Sequence, residues 1–250
     1  MKNEFTSKGR LVFVMGGGKF GTNALSHLKA KGAKVLVADL NPDCIASSQV
    51  DIYADGISVY DSLELGQSAF IKGDATNLLA EMLDSRAPDL IVTAIPGNAI
   101  AKVIKIWLSK RSIKLEPYTK AVPAILTNIP KSLVSAIDRK SSLIVVSYMP
   151  SNMRCRENCL PPKDICALTG RPKPAPINRL LEFAVYSNVD ISCILMSRQL
   201  TGGLGAIEGK DILSILKQLK DVKVPYTLAI GTACNCHGIL NLTKTKELRH

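Results

Sequence analysis

The sequence predicts an α/β protein built on a doubly wound, mostly parallel sheet. Three observations carry that prediction. Short apolar runs alternate with stretches of helical period along the first 110 residues. A glycine-rich turn lies between the first run and the first helix. A long segment at 150–176, holding six prolines and three cysteines, interrupts the alternation once.

The elements follow in order. Residues 10–16 (Arg-Leu-Val-Phe-Val-Met-Gly) form an apolar run ending in glycine, the pattern of a buried parallel strand. Residues 20–31 carry Phe20, Ala24, Leu25 and Leu28 at helical spacing, and Gly32 stops the helix. A second strand at 33–38 closes on Asp39. Residues 41–68 give no clear period. A third strand is expected from Ser68 to Ile71, a helix over 77–85, a fourth strand from Asp89 to Ile95, and a helix over 98–110. A fifth strand fits 142–148. After the Cys/Pro-rich loop come a helix near 177–187, a strand at 190–197, a glycine-rich turn at 202–205, a helix at 209–220 and a strand at 226–232. The division expected is 1–148 for a nucleotide-binding domain and 149–250 for a Cys-rich α/β extension, continuing the same sheet if its strands add to the same edge.

Composition narrows the function classes. An apolar fraction of 46% with 21% charged residues is that of a globular chain able to bury a core. The net charge is +11, but it is spread along the chain, and aromatics make up only 5%. No basic run is interleaved with stacking rings, so the composition argues against nucleic-acid binding. No stretch reaches the ~20 apolar residues of a membrane span, and the first ten residues lack a secretory apolar core. The expectation is a cytoplasmic protein, alone or with a protein partner or a second copy, whose seven cysteines stay reduced.

Gly16, Gly18 and Gly21 have the G-x-G-x-x-G spacing within Gly16-Gly17-Gly18-Lys19-Phe20-Gly21. The first glycine permits the tight turn, the second lets a pyrophosphate approach the backbone, and the third lets helix and strand pack closely. The helix amides and dipole, opening at Lys19 and Phe20, then face the phosphates. Asp39 follows the second strand, 18 residues past Gly21. An acid there can accept hydrogen bonds from ribose hydroxyls, which favours NAD over NADP; FAD and simple nucleotides stay open. This is a Rossmann-like reading of the first 95 or so residues.

Gly16 to Gly21, Asp39 and Gly73-Asp74-Ala75-Thr76 together resemble the TrkA-N type NAD-binding domain of potassium-uptake regulators. The resemblance covers residues 10–96 and departs over 40–68. It implies a dinucleotide ligand, with Asp74 and Ala75 near the adenine and ribose. It does not extend to the Cys-rich remainder, which is assigned to no family.

Cys155, Cys159 and Cys166 lie within 12 residues, and Cys234-Asn-Cys236-His237 lies near the end. In a reducing compartment such clustering suggests metal ligation before disulfides. Thiolate ligation suits zinc or an iron–sulfur cluster. The spacing C-x3-C-x6-C matches neither a zinc-finger nor a ferredoxin pattern, so which metal, and which four of the five cysteines, stay open. If the strands at 142–148 and 226–232 run parallel in the sheet of the glycine loop, both Cys groups emerge on the edge where the nucleotide lies. Cys193 reads as a core cysteine and Cys44 as incidental. His27 reads as a surface residue and His250 as part of a loose end. Gln199 to Gly205 reads as a plain turn, with an anion cradle as the alternative, and Asn98 as either a ligand-orienting group or a helix cap.

No acid–base constellation identifies catalytic residues. Two functional classes follow. One is an NAD-linked oxidoreductase or electron-transfer protein with a thiolate-bound iron–sulfur centre. The other is a nucleotide-sensing regulatory subunit that binds NAD(H) without turnover, its Cys loop held by structural zinc. A thiol-based redox protein is a third.

Overall fold

A computed structural model describes residues 6–153, 155–156, 158–160 and 162–246. His250 and residues 1–5 lie outside them. The first elements are β1 (Leu11–Met15), α1 (Lys19–Ala30), β2 (Lys34–Asp39), β3 (Ile52–Ala54), β4 (Ser68–Lys72), α2 (Ala75–Ser85), β5 (Leu90–Thr93) and α3 (Ala99–Ser109). Next come β6 (Leu115–Pro117), α4 (Val122–Thr127), β7 (Val134–Asp138), β8 (Leu143–Ser147), α5 (Ile177–Val185) and β9 (Ile191–Met196). Last are β10 (Arg198–Thr201), β11 (Leu204–Glu208), α6 (Gly209–Asp221), β12 (Thr227–Ala233) and β13 (His237–Thr245).

The α/β class holds, but the strands form two mixed sheets rather than one. The chain divides into two compact units. The first is Met1–Ile106 with Arg198–Leu200 and Leu204–Ser214; the second is Trp107–Ser197 with Thr201–Gly203 and Ile215–His250. The boundary expected at 148/149 falls inside the second unit, directly after β8.

In the first unit the strand order is β10-β11-β5-β1-β2-β4-β3. From β5 to β3 every pairing is parallel. Strand β1 is central and fully buried, as Leu-Val-Phe-Val-Met requires of a strand covered on both faces. Val14 faces Val37 of β2 on one side and Val92 of β5 on the other. Helix α1 sends Ala24, Leu25 and Leu28 into a core with Val12, Val14, Val35, Val37 and Phe70. Each buried aliphatic side chain of this kind contributes about 1.5–3 kcal/mol. Strand β11 then adds antiparallel to β5. It is held there by the Arg10–Glu208 ion pair and, just past its end, by a bond from Gly209 N to the Asp89 carbonyl (2.9 Å). This late return of the chain makes the sheet mixed, where the sequence predicts a mostly parallel one.

The second sheet has the order β7-β8-β13-β12-β9, with β6 also paired to β13. Its pairings are antiparallel except β12 with β9. Helix α5 packs on this sheet through Ile177, Leu181, Ala184 and Val185, against Ile144, Val146, Ala229, Ala233, Leu240 and Leu242. Gly238 permits the approach: a Cβ there would lie 2.7 Å from Leu181 Cδ1 and 2.8 Å from Ile177 Cγ2. The strands expected at 142–148, 190–197 and 226–232 all exist, but in this sheet and not as an extension of the first. Among the described residues no helix is long and apolar enough to cross a membrane.

Candidate nucleotide and thiol sites

The glycine loop leaves the C-terminal end of β1. Gly16 has φ +99°, and a Cβ there would meet Ile95 Cγ2 at 2.8 Å and the Ala94 carbonyl oxygen at 3.0 Å. Gly17 is packed against Cys44, whose Sγ would lie 2.2 Å from an added Cβ. Cys44 is therefore part of the loop's packing, not incidental. At Gly21 an added Cβ would lie 1.9 Å from the Gly16 carbonyl oxygen, so α1 cannot sit on β1 with any other residue there.

Gly18 differs. Its φ is −72°, ordinary for any residue, and nothing lies within 4 Å of an added Cβ. It precedes α1 as its N-cap, with no side chain capping the helix and no acid in the first turn. The first-turn amides of a helix have no intrahelical partner, and the dipole leaves positive charge among them. Lys19 and Phe20 stand exposed beside this end.

Asp39, at the end of β2, accepts the Gly17 N–H on Oδ2 (2.6 Å) and the Asn41 N–H on Oδ1 (2.8 Å). It fixes the glycine loop and retains lone pairs for further donors. Leu40 is 68% exposed and Ile45, next to Cys44, is 55% exposed. Asp74 caps α2: its Oδ1 accepts from the N–H groups of Thr76 and Asn77 and from the Thr76 hydroxyl. The Thr76 hydroxyl bond, outweighing partial burial, leads the causes that hold the Asp74 carboxyl below its usual range; the amides and Lys102 add to it. Ala75 is buried in the first turn of α2. Asn98 takes the capping role, its Oδ1 accepting from Ala101 N at 3.1 Å.

Strands β8 and β12 each pair antiparallel with β13, so they run parallel to each other and end on one edge of the second sheet. The Cys/Pro-rich loop leaves that edge from β8, and Cys234 leaves it from β12. The two Cys groups thus meet as the sequence suggests. The sheet edge they share is not that of the glycine loop, because β1 belongs to the other sheet. Cys234-Asn235-Cys236 is the turn of the β12–β13 hairpin, closed by Cys234 N to the His237 carbonyl (2.9 Å). The alternation of Leu240 and Leu242 with Asn241 and Thr243 marks β13 in the sequence, and a reading centred on the cysteines passes over it.

His237 lies between two thiols, with Nε2 3.2 Å from Cys155 Sγ and Nδ1 3.8 Å from Cys234 Sγ. Cys234 Sγ also accepts the N–H groups of Cys236 and His237, each at 3.3 Å. Burial pushes the Cys234 thiol up, but these bonds and His237 outweigh it and leave it below its usual range. Lys173, only 5% exposed, places Nζ 3.4 Å from Cys236 Sγ and also bonds the Pro162 carbonyl. Burial raises the Cys155 thiol to about 11, and the neighbouring Cys159, Cys166, Cys236 and Cys234 add to the shift. The Cys155 sulfur is therefore near the other four. Among the described residues, however, no three His, Cys, Asp or Glu side chains are grouped closely enough to hold a metal ion as they stand. The donor set itself is soft and suits zinc or iron–sulfur chemistry. Cys193 is a core residue of β9, 1% exposed, its thiol pushed to about 12 by burial. Gln199 to Gly205 forms β10, a Gly202-Gly203 turn and the start of β11; Gly202 lies against the Asn158 backbone, so this turn is packed and does not open a helix.

Residues 101–246 match the model of the AF_1314 family C-terminal domain, and residues 11–96 the model of its N-terminal domain; both are described as domains of an uncharacterized protein. This chain belongs to that two-domain family. A protein of Archaeoglobus fulgidus, also described as uncharacterized, is 31% identical over 233 residues, covering 92% of this chain and 98% of its own. The break between the two matched domains, at 97–100, lies close to the first crossing between the structural units at Ile106/Trp107.

Proposed function

We propose that this protein binds NAD(H) at the glycine loop of its first unit and carries a thiolate-held metal, iron–sulfur or zinc, in its second, with redox or electron transfer as its activity. The observation that carries the nucleotide half is Gly18. Packing or backbone conformation accounts for Gly16, Gly17 and Gly21. Neither packing nor backbone torsion demands glycine at Gly18, which serves as a helix N-cap that several residues could fill, and it stands where a pyrophosphate needs bare backbone. The run β5-β1-β2-β4-β3, parallel throughout, supports the Rossmann-like reading, since β2 and β5 flank β1 on opposite sides and ligands of open α/β sheets lie at such a switch point.

On this reading the α1 amides and Lys19 hold the phosphates. Asp39 accepts from the ribose hydroxyls while keeping Gly17 in place, and Leu40 and Ile45 give the adenine apolar edges. The resemblance over 10–96 adds Asp74 and Ala75 to the ribose side. When bound, the nicotinamide ring supplies hydride chemistry. In the second unit Cys155, Cys159, Cys166, Cys234 and Cys236 are the candidate ligands, and Lys173 and His237 offset thiolate charge.

The test is thermal denaturation with NADH, NAD, NADP and FAD in turn. A ligand at 100 times its dissociation constant adds about 2.7 kcal/mol to stability. NADH is expected to raise the melting temperature of the wild type. Gly18→Val should melt only a few degrees below the wild type without ligand, the cost of a poorer N-cap, and lose that rise. A wild type that responds to none of the four sinks the nucleotide reading. Iron, sulfide and zinc analysis of anaerobically purified protein tests the metal half, and protein free of all three that also takes up none defeats it.

A further inference from the structure

The formal charge of +11 is not shared between the two units. The second holds 19 Lys and Arg against 8 Asp and Glu, a surplus of 11, and the first holds 13 against 13. Much of the surplus collects at one end of the second sheet, opposite the Cys edge. Lys110 and Arg111 follow α3, and Lys114 precedes β6. Lys217 and Lys220 lie on α6, Lys223 follows it, and Lys244 and Lys246 stand at the end of β13. These segments are tied together: Lys246 N donates to the Lys114 carbonyl (2.8 Å), and Thr245 N to the Tyr226 carbonyl (3.0 Å). The Trp107 ring holds two of the cations, with the Arg111 guanidinium carbon 3.5 Å and Lys220 Nζ 5.6 Å from its centroid. Attraction to the ring face offsets the repulsion between them.

An open recess of about 500 Å³ lies at this end, lined in part by Glu116, Asp190, Tyr226, Lys244 and Lys246. Its two acids are committed. Glu116 pairs with Lys244 (3.0 Å), and Asp190 accepts from the N–H and the hydroxyl of Thr227 (2.7 Å each). Lys110, Lys114, Lys217, Lys220, Lys223 and Lys246 are exposed, and among the described residues none of the six pairs with a carboxylate. Cations suit a helix C-terminus, which accounts for Lys110 and Lys220. It does not account for Lys114, Lys223 or Lys246.

What surrounds the lysines selects the partner. Among the described residues of these segments no aromatic ring is exposed, and Val224 is the only large apolar side chain that is. Single strands ask for stacking rings, a protein partner for aromatic anchors, and a firm hold on a bilayer for an apolar face besides the charge. A duplex asks only for fixed cations along its dense, convex line of phosphates, which a basic recess can admit. We propose that this end of the second sheet binds the phosphodiester backbone of double-stranded nucleic acid, without reading its sequence. The scarcity of rings in the composition argues against single strands and leaves duplexes open. This surface is independent of both the nucleotide and the thiol readings.

The test is fluorescence anisotropy of short labelled DNA and RNA duplexes titrated with the full chain, from about 50 to 200 mM salt. Phosphatidylserine vesicles and polyglutamate serve as unlabelled competitors, matched to the duplex in charge. Salt-sensitive binding that neither competitor displaces is expected, and any preference between the duplexes tells DNA from RNA. The triple variant Lys114→Gln, Lys220→Gln, Lys246→Gln should flatten the plot of log affinity against log salt by about 2.7, at 0.9 per phosphate contact. It should also bind at least ~10-fold more weakly at about 0.1 M salt. Lys131→Gln, Arg139→Gln, Lys140→Gln removes the same charge beside the β7–β8 hairpin and should keep the wild-type slope. All six side chains are exposed, so both variants should melt as the wild type does. Equal losses in the two variants, or wild-type affinity in the first, overturn the assignment to this face. Displacement by vesicles or by polyglutamate overturns the choice of partner, in favour of a lipid surface or an acidic protein. A wild type that binds neither duplex at about 50 mM salt overturns the proposal outright.

Discussion

The glycine loop and the cysteine cluster use the same logic in opposite proportions. In the loop, Gly16, Gly17 and Gly21 are demanded by the protein itself, through a positive φ, a sulfur contact and a backbone contact. Only Gly18 is left over. In the cluster the proportion reverses. Cys193 fills a core and Cys44 packs on Gly17, while Cys155, Cys159 and Cys166 occupy the Cys/Pro-rich loop and Cys234 and Cys236 a hairpin turn. A residue type that the fold does not require is where a ligand is to be sought. The comparison therefore separates fold residues from ligand residues within each motif, and mutation can test each separation.

The largest effect is expected at Gly21. Gly21→Ala forces a Cβ against the Gly16 carbonyl, a backbone atom that cannot swing away. Helix α1 must shift off β1, at a cost of about 3 kcal/mol, the upper range for overpacking. Urea denaturation should show the loss with the m-value unchanged. Stability equal to that of the wild type would mean that the helix–strand approach is looser than the packing implies, and Gly21 would join Gly18 as a ligand residue. Gly209→Ala should behave like Gly21→Ala, because a Cβ there would lie 1.8 Å from the Pro88 carbonyl oxygen.

A smaller effect is expected where β11 returns to the first sheet. Burial pushes the Glu208 carboxyl up, but the hydrogen bond and charge of Arg10, with Lys210 and Arg198, hold it below its usual range. Its contribution is thus fully present above the unfolded carboxyl value of about 4.3 and is lost as pH falls through the lower folded value. Glu208→Gln should cost about 2 kcal/mol at pH 7, the loss of a charge-assisted hydrogen bond. The difference between the two proteins should shrink as unfolding is measured at progressively lower pH below 4. A difference that persists unchanged to pH 2 would show that Glu208 acts through shape and not charge.

Legibility follows the same division. The parallel strands β1, β2, β4 and β5 of the first unit were readable because burial on both faces writes continuous apolar runs, as in Leu-Val-Phe-Val-Met and Lys-Val-Leu-Val-Ala-Asp, whereas β3, three half-exposed residues at the sheet's edge, was not. The second sheet was less so: β7–β8 and β12–β13 are local hairpins, but β8–β13, β6–β13 and β9–β12 join segments distant in sequence. Strand β13 follows β12 through a tight turn, but its pairings with β8 and β6 reach far back in the chain and leave no local signature beyond weak alternation. Strand β11 carries only Ala206, Ile207 and a buried Glu208 to mark it, and its partner β5 lies more than a hundred residues away. The convergence of the two Cys groups was legible from strand direction alone. The turn that aims the Cys236 and His237 amides at the Cys234 sulfur was not, since amide orientation depends on backbone torsion rather than on residue type.

Asp74 carries the smallest predicted effect and the sharpest choice between fold and ligand. The family resemblance puts it beside the nucleotide; the structure gives its Oδ1 to Thr76 and Asn77 as the cap of α2. Asp74→Ala should cost about 1 kcal/mol at neutral pH, the usual value of an N-cap. Because the folded carboxyl titrates below its ordinary value, the wild type's advantage is complete above about pH 4 and fades as pH falls through the folded value. Asp74→Asn keeps an acceptor for the two amides and should recover most of the loss, since Asn caps as well as Asp. If the cap is its whole role, Asp74→Asn binds NADH as the wild type does and Asp74 belongs with Gly21. If Asp74→Asn is as stable as the wild type but binds NADH more weakly, the free Oδ2 serves the ribose and Asp74 belongs with Gly18.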